Sequence, residues 1–166
     1  RMVKKERITQ QDMDDTMSRI STATELSSAA DADLVVEAVF ENFDVKKQIF
    51  SELDSLCKED TILASNTSSI SITKIAACTN RPEKVIGMHF MNPVPIMKLV
   101  EVIKGQATDD ATLNTVLEIA ETLKKVPVTV EDYPGFISNR VLLPMINEAV
   151  YCLMEGIATR DDIDTV

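Results

Sequence analysis

The chain has 166 residues, enough for one ordinary domain, and 45% of them are hydrophobic, enough for a sizeable core. Its formal net charge of −10 argues against binding to nucleic acid or to an anionic membrane surface. No apolar run is long enough to span a bilayer. The three cysteines are scattered and lack metal-ligand spacing, so we expect reduced thiols and a cytoplasmic location, with mitochondria or peroxisomes as open alternatives.

The first half of the chain alternates short helices with apolar strands. Apolar residues at helical spacing predict an amphipathic helix over residues 10–20. The nearly continuous apolar run over 33–39 is typical of a buried parallel strand. The same patterns then predict a helix over 44–58, a strand over 61–64, a short helix over 69–78 and a strand over 84–90.

The alternation continues to residue 130 and then changes. Strands are predicted over 98–104 and 127–130, with a helix over 109–123 between them. Strands that alternate with helices indicate βαβ units and a parallel sheet, that is, an α/β fold. Residues 136–155 are instead predicted to form one long helix that is apolar on most faces and must be covered on several sides. We therefore expect one domain over 1–131 and the start of a helical second domain over 132–166.

The two ends of the chain resemble the interior of a longer sequence. The chain opens on Arg1 instead of an initiator methionine, and residues 161–166 have the character of a first helical turn. We therefore expect this chain to be an internal segment.

Polar side chains follow three of the predicted strands. They lie at Glu41 and Asn42, at residues 65–69, and from His89 to Asn92. Ligands of open parallel sheets bind at the carboxyl ends of strands, so these groups could converge on one crevice. Residues 65–69 could equally be a helix start whose hydroxyls accept from backbone N–H groups. Asn139 is either a satisfied buried amide or a group that faces a ligand.

His89 is the only histidine, and hence the one candidate for histidine acid–base chemistry near neutral pH. Strand alternation places Glu101 on the face that carries Leu99 and Ile103, where a buried carboxylate needs a partner such as His89. A carboxylate at one imidazole nitrogen fixes the tautomer and raises the basicity of the other nitrogen. A satisfied core histidine with a solvent-facing glutamate fits the residue types equally well.

A family resemblance is carried by five segments: 36–42 (VEAVFEN), 65–69 (SNTSS), 89–95 (HFMNPVP), 98–102 (KLVEV) and 134–140 (PGFISNR). In this order, over essentially the whole chain, they resemble the L-3-hydroxyacyl-CoA dehydrogenase family. Multifunctional members tend to carry serine at the position of Asn92. The chain is therefore most similar to the free-standing 3-hydroxybutyryl-CoA dehydrogenases.

The resemblance implies a Rossmann-like, doubly wound, mostly parallel sheet and a reaction. The reaction is oxidation of the 3-hydroxyl of short-chain (3S)-3-hydroxyacyl-CoA to 3-oxoacyl-CoA with NAD, or its reverse. His89 would be the general base and Glu101 its partner. Ser68 would hydrogen-bond the reacting oxygen, and Asn139 would position the substrate.

The resemblance also implies a cofactor site and partners. Glu41 and Lys46 would contact the ribose region of NAD, and Ala38 would line the site. Ser68 and Asn92 would lie against both cofactor and substrate. The partners would be an acyl-CoA thioester and a second copy, in a homodimer formed through the helical domain. No metal is implied.

The chain departs from the family in one respect. The family opens with a strand and a Gly-x-Gly-x-x-Gly turn that cradles the pyrophosphate. The four glycines here do not form that turn. We therefore expect the sheet to be incomplete, with inner strand edges unpaired, and residues 1–166 to be inactive alone. Two alternatives stay open: the dehydrogenase part of a multifunctional hydratase–dehydrogenase, and a non-catalytic structural relative.

Overall fold

Six α-helices and five strands lie along residues 2–166, the part of the chain that the computed structural model describes. Arg1, from which the chain start was interpreted, lies outside this part. The elements are α1 (Gln10–Ser18), β1 (Leu34–Glu37), α2 (Phe43–Leu56), β2 (Ile62–Ser65), α3 (Ile72–Ala76), β3 (Val85–Phe90), β4 (Leu99–Lys104), α4 (Asp110–Thr122), β5 (Val126–Glu131), α5 (Ser138–Met154) and α6 (Arg160–Thr165). Each corresponds to a predicted element except α6, of which only a first turn was expected.

The five strands form one mixed sheet in the order β1-β2-β3-β4-β5. The pairs β1–β2, β2–β3 and β4–β5 are parallel, and each is joined through a helix. β4 runs antiparallel to β3 because residues 91–98 join these strands without a crossover helix. The mostly parallel sheet is confirmed. The expectation of two unpaired inner edges is wrong for the described strands, which pair consecutively without a gap.

Helices cover both faces of this sheet, as a doubly wound fold requires. On one face, Phe50 and Leu53 of α2 and Ile75 of α3 pack with Leu63 and Val85. On the other face, Val116 and Ala120 of α4 pack with Ile86, Met88 and Val102. Side chains of neighbouring strand residues point to opposite faces. His89 and Glu101 therefore belong to the α2–α3 face, together with Val85 and Ile103.

Gly87 permits the close approach of β3, β4 and α3 on that face. A Cβ at this position would lie 2.7 Å from Ile103 Cβ and 3.0 Å from Ile72 Cγ1. Any side chain would therefore clash with Ile103 of β4 and crowd Ile72 of α3. Residues 66–71 lead from β2 into α3, so the polar residues after β2 directly precede the helix that packs closely here.

The helix α5 differs from the other long helices in having no buried residue. The packing predicted around it is not found among residues 2–166, where it contacts α6. Its apolar side chains, including Val141, Leu143 and Met145, are exposed. No helix in the described part of the chain is both long and apolar enough to cross a bilayer.

Asp132 connects the end of β5 to the start of α3. Its Oδ2 accepts hydrogen bonds from Ser71 Oγ at 2.6 Å and from the Thr73 N–H at 2.8 Å, and its Oδ1 accepts from the Ile72 N–H at 3.1 Å. Burial opposes ionisation, but these hydrogen bonds outweigh it and hold the pKa of Asp132 below its usual range. The ionised carboxylate thus holds the segment that follows the sheet against α3.

We expect Asp132→Asn to lower the free energy of unfolding by about 1–2 kcal/mol at pH 7, because an amide leaves at least one of these donors unsatisfied. A lowered pKa gives stability above the unfolded-state value of about 3.9 that is lost as pH falls further. The difference between wild type and variant should therefore shrink below about pH 4. Urea unfolding at several pH values measures this difference.

The exposed Asp60 provides a matched control, since Asp60→Asn makes the same chemical change without removing such contacts. Its unfolding free energy should stay within about 0.5 kcal/mol of wild type. Equal stabilities for Asp132→Asn and Asp60→Asn at pH 7 would contradict the proposed tie between β5 and α3.

Candidate active site

The candidate site lies where β1, β2 and β3 end and α5 begins. The residues that follow these strands are linked by hydrogen bonds between side chains and backbone. Asn66 Oδ1 accepts from the Phe90 N–H at 2.8 Å, joining the end of β2 to the end of β3. Glu41 reaches the loop 67–69 from the segment after β1. The structure thus brings together the three polar groups that the sequence placed at strand ends.

His89 and Glu101 form a buried pair across the antiparallel strands β3 and β4. They are directly opposite each other in the register, and the Nδ1 of His89 lies 2.9 Å from the Oε2 of Glu101. His89 is 6% exposed and Glu101 is 1% exposed, so water does not separate the two groups. The predicted partnership of these side chains is confirmed. The solvent-facing alternative for Glu101 is wrong.

Glu101 also binds the start of α5. Its Oε1 accepts from the N–H groups of Ile137 at 3.0 Å and Ser138 at 2.8 Å, and its Oε2 accepts from Ser138 Oγ at 2.8 Å. Burial raises the pKa of Glu101, but hydrogen bonds from Ser138, His89 and Ile137 outweigh burial and lower it. Glu101 is therefore a carboxylate at neutral pH.

An ionised Glu101 determines the tautomer of His89. A carboxylate is only an acceptor, so the Nδ1 of the neutral imidazole carries the proton and Nε2 keeps its lone pair. No residue in the described range 2–166 hydrogen-bonds to Nε2. The arrangement therefore presents Nε2 as a nitrogen without a partner in the described chain, on an imidazole whose other nitrogen is held by a buried carboxylate.

The turn between β5 and α5 aligns this site. Gly135 and Phe136 have φ angles of +80° and +49°, a conformation that phenylalanine rarely adopts. The Phe136 side chain is 2% exposed, and its ring centroid lies 6.0 Å from that of His89. The turn thus places an aromatic ring beside the imidazole, tilted by 57°, and directs the N–H groups at the start of α5 toward Glu101.

The loop that carries Ser68 is held by the Glu41 carboxylate. Its Oε1 accepts from the backbone N–H groups of Ser68 at 2.9 Å and Ser69 at 3.0 Å, and from the Thr67 hydroxyl. Burial raises the pKa of Glu41, and the hydrogen bonds from Thr67, Ser69 and Ser68 then lower it below its usual range. The alternative of a helix start at residues 65–69 is wrong in position, because α3 begins at Ile72 with Ser71 as its cap. Its hydroxyl contact is found within the loop, where Thr67 Oγ1 accepts from the Ile70 N–H at 2.9 Å.

Lys46 lies beneath this loop in a buried ion pair. Its Nζ is 2.8 Å from Glu37 Oε1 and 3.6 Å from Glu41 Oε2, and Lys46 is only 1% exposed. Glu37 also accepts from Ser65 Oγ at 2.7 Å and from the Val39 N–H at 2.6 Å. Lys46 thus lies close to the Glu41 carboxylate, which holds the loop 67–69. The predicted contact of Lys46 with a ribose stays a prediction.

The remaining predicted residues are at the surface. The Asn139 side chain donates from Nδ2 to the Ser68 carbonyl at 3.0 Å, so α5 also holds the Ser68 loop. Asn92 and Ala38 are exposed and lie just beyond the ends of β3 and β1. Their predicted roles are not tested by these contacts.

Sequence reasoning assigned no role to Glu37, Thr67 or Ser138. Glu37 had a usable signal, because a carboxylate inside an apolar strand must be paired. Ser138 had none, because its contact with Glu101 depends on the unusual turn at Gly135 and Phe136.

Comparison with known proteins adds independent findings. Residues 1–133 match the model of the 3-hydroxyacyl-CoA dehydrogenase NAD binding domain, and residues 135–166 match that of the 3-hydroxyacyl-CoA dehydrogenase C-terminal domain. A probable 3-hydroxybutyryl-CoA dehydrogenase of Bacillus subtilis is 56% identical over 158 residues, which cover 95% of this chain and 55% of that protein. The 3-hydroxybutyryl-CoA dehydrogenase of Clostridioides difficile is 55% identical over 89% of this chain and 53% of its own length.

A solved structure agrees with these sequence matches. The crystal structure of the (S)-3-hydroxybutyryl-CoA dehydrogenase of Ralstonia eutropha superposes with a TM-score of 0.93 at 46% identity, over 97% of this chain and 57% of that one. The chain thus spans about half the length of the relatives it matches. The two family models together, and the relatives at more than half identity, show that the chain belongs to the 3-hydroxyacyl-CoA dehydrogenase family.

Proposed function

We propose that the protein is an NAD-dependent oxidoreductase that interconverts short-chain (3S)-3-hydroxyacyl-CoA and 3-oxoacyl-CoA. The observation that carries the proposal is the buried His89–Glu101 pair, in which Nδ1 is held by a carboxylate and Nε2 is left without a partner among residues 2–166. The similarity to 3-hydroxybutyryl-CoA dehydrogenases supports the substrate class.

In this proposal, His89 is the general base and acid. Its Nε2 takes the proton of the substrate's 3-hydroxyl during oxidation and returns a proton to the oxygen during reduction. Bound NAD would accept the hydride from C3 or, in its reduced form, return it. Glu101 stays ionised throughout and stabilises the imidazolium that forms when His89 takes the proton.

Ser68 and Asn139 are proposed to orient the substrate. Ser68 is exposed, its N–H binds Glu41 and its carbonyl binds Asn139, while its hydroxyl has no partner within the described chain. That hydroxyl is therefore free to donate to the reacting oxygen. Asn139 comes from the start of α5, so it links the substrate's position to the second structural unit.

The proposed nucleotide site is the surface just beyond β1, β2 and β3. Ala38 is exposed there, and nearby Val39 and Phe40 are 40% and 85% exposed, which suits the apolar faces of a dinucleotide. Glu41 and Asn92 would supply polar contacts at the ribose, and Ser68 would lie between cofactor and substrate. Lys46, being buried, would act by holding Glu41.

The proposal also covers the domain boundary, the oligomeric state and the cellular compartment. We place a domain boundary near Asp132, which is supported by the end of β5 at Glu131 and by the family models that meet at residues 133 and 135. The exposed apolar side chains of α5 support a homodimer formed through the helical unit. The unpaired thiols of Cys57, Cys78 and Cys152 support a reducing compartment such as the cytoplasm.

The experiment that tests the function is an NADH absorbance assay with acetoacetyl-CoA on the full-length protein. Loss of absorbance that depends on both compounds is expected, and chain-length series with longer 3-oxoacyl-CoA substrates then test the preference. A well-folded full-length protein without turnover on any of them would favour the non-catalytic alternative.

We expect His89→Gln to lower kcat by about 10²–10⁴-fold, because glutamine keeps hydrogen-bonding capacity but cannot accept the proton. Steady-state assays with acetoacetyl-CoA measure this loss. Met88→Leu is the matched control, since Met88 is next along β3, faces the opposite side of the sheet and tolerates a change of similar volume. Activity of His89→Gln within a few-fold of that control would exclude His89 as the base.

We expect Glu101→Gln to move the acidic limb of the kcat/KM profile to lower pH by about one unit, because a neutral amide no longer favours the imidazolium. Activity at the optimum should also fall by at least about tenfold. Circular dichroism at each assay pH monitors folding. A limb at the wild-type position would mean that the Glu101 charge does not influence the catalytic proton.

A further inference from the structure

We propose that Ser138 is a positioning residue for the acid–base chemistry, which it controls by sharing Oε2 of Glu101 with His89. This inference rests on the proposed function of the His89–Glu101 pair. It assigns a role to a side chain of α5 that neither the sequence motifs nor the proposed mechanism uses.

The hydrogen bonds of Glu101 are divided between its two oxygens according to the type of donor. Oε1 accepts only from backbone N–H groups, those of Ile137 and Ser138. Oε2 accepts from two side chains, His89 Nδ1 at 2.9 Å and Ser138 Oγ at 2.8 Å. The hydroxyl and the imidazole therefore compete for charge on the same oxygen.

This division makes the hydroxyl separable from the rest of the site. Removing it leaves both backbone donors on Oε1, so the carboxylate stays buried and ionised. Because hydrogen bonds to a carboxylate stabilise its charge, loss of one from Oε2 leaves more charge density facing His89. The protonated imidazole is then favoured more strongly, and Glu101 is also less fixed in orientation.

No other charged group forms an ion pair with His89 or Glu101 in the described chain. Lys104, on β4, pairs with Asp110, and Asp132, on the connection to α5, binds α3. Lys98 and Arg140, at the ends of the same elements, form no ion pair among residues 2–166. The charges that meet in the pair are therefore those of His89 and Glu101, and the Ser138 hydroxyl is the neutral group that modulates them.

The test compares Ser138→Ala with wild type in the full-length protein, by kcat/KM profiles and by NMR titration of the imidazole, assigned through its loss in His89→Gln. We expect Ser138→Ala to move both the acidic limb and the titration midpoint to higher pH by about half a unit. The plateau of kcat/KM should fall about three- to tenfold as Glu101 becomes less fixed. This direction is opposite to that expected for Glu101→Gln.

Two further variants separate positioning from folding. Ser138→Thr keeps the hydroxyl and should restore both midpoints to near the wild-type values. In a Glu101→Gln background, Ser138→Ala should add little, because the oxygen through which it acts has lost its charge. Ser51→Ala removes a serine hydroxyl that bonds the Cys78 carbonyl away from the site and serves as the matched control.

The inference is overturned if Ser138→Ala leaves the NMR midpoint in place or moves it to lower pH, or if its effect persists unchanged with Glu101→Gln. The NMR readout does not depend on turnover. An inactive wild type whose midpoint still moves with Ser138→Ala would therefore count against the proposed function and support the coupling of Ser138 to His89 through Glu101.

Discussion

The site depends on the cost of burying the Glu101 carboxylate. A buried charge must be satisfied by donors, and Glu101 takes them from β3 through His89 and from α5 through Ile137 and Ser138. One side chain thereby joins the sheet to the start of α5. The imidazole and α5 cannot move apart without exposing or orphaning that charge.

The same principle recurs at the other junctions around the site. Glu41 holds the loop 67–69, Glu37 holds Lys46 and Ser65, and Asp132 holds the start of α3. In each case a carboxylate from one segment accepts hydrogen bonds from another. The loops after the strands are polar and make few apolar contacts. Hydrogen bonds to carboxylates therefore hold these loops in place, as apolar packing does for the sheet.

The parts of the structure that local patterning determines were predictable. Apolar runs and, for residues 98–104, apolar–polar alternation located all five strands, and helical spacing located α2, α4 and α5 to within a few residues. The pairing of His89 with Glu101 followed from strand alternation and from the need of a buried carboxylate for a partner. The family resemblance then supplied functional roles that the residue types alone left open.

What could not be predicted depends on geometry that distant residues create together. The antiparallel direction of β4 follows from the path of residues 91–98, which spacing does not encode. The contact of Ser138 with Glu101 requires positive φ angles at both Gly135 and Phe136. The glycine suggests such a turn, but nothing in the sequence indicates that phenylalanine shares it.

The structure is held by two kinds of interaction, apolar packing and hydrogen bonds to carboxylates, and these respond differently to acid. Packing of the sheet against α2, α3 and α4 is apolar and independent of pH. Glu41, Glu101 and Asp132 all have a lowered pKa, so their contributions are complete above the unfolded-state values near pH 4 and are lost as pH falls below them. Acid should therefore loosen the Ser68 loop and the start of α5 before it disrupts the sheet. The candidate site is thus the part of the fold that depends on ionised carboxylates, and the apolar sheet is the support on which those carboxylates are arranged.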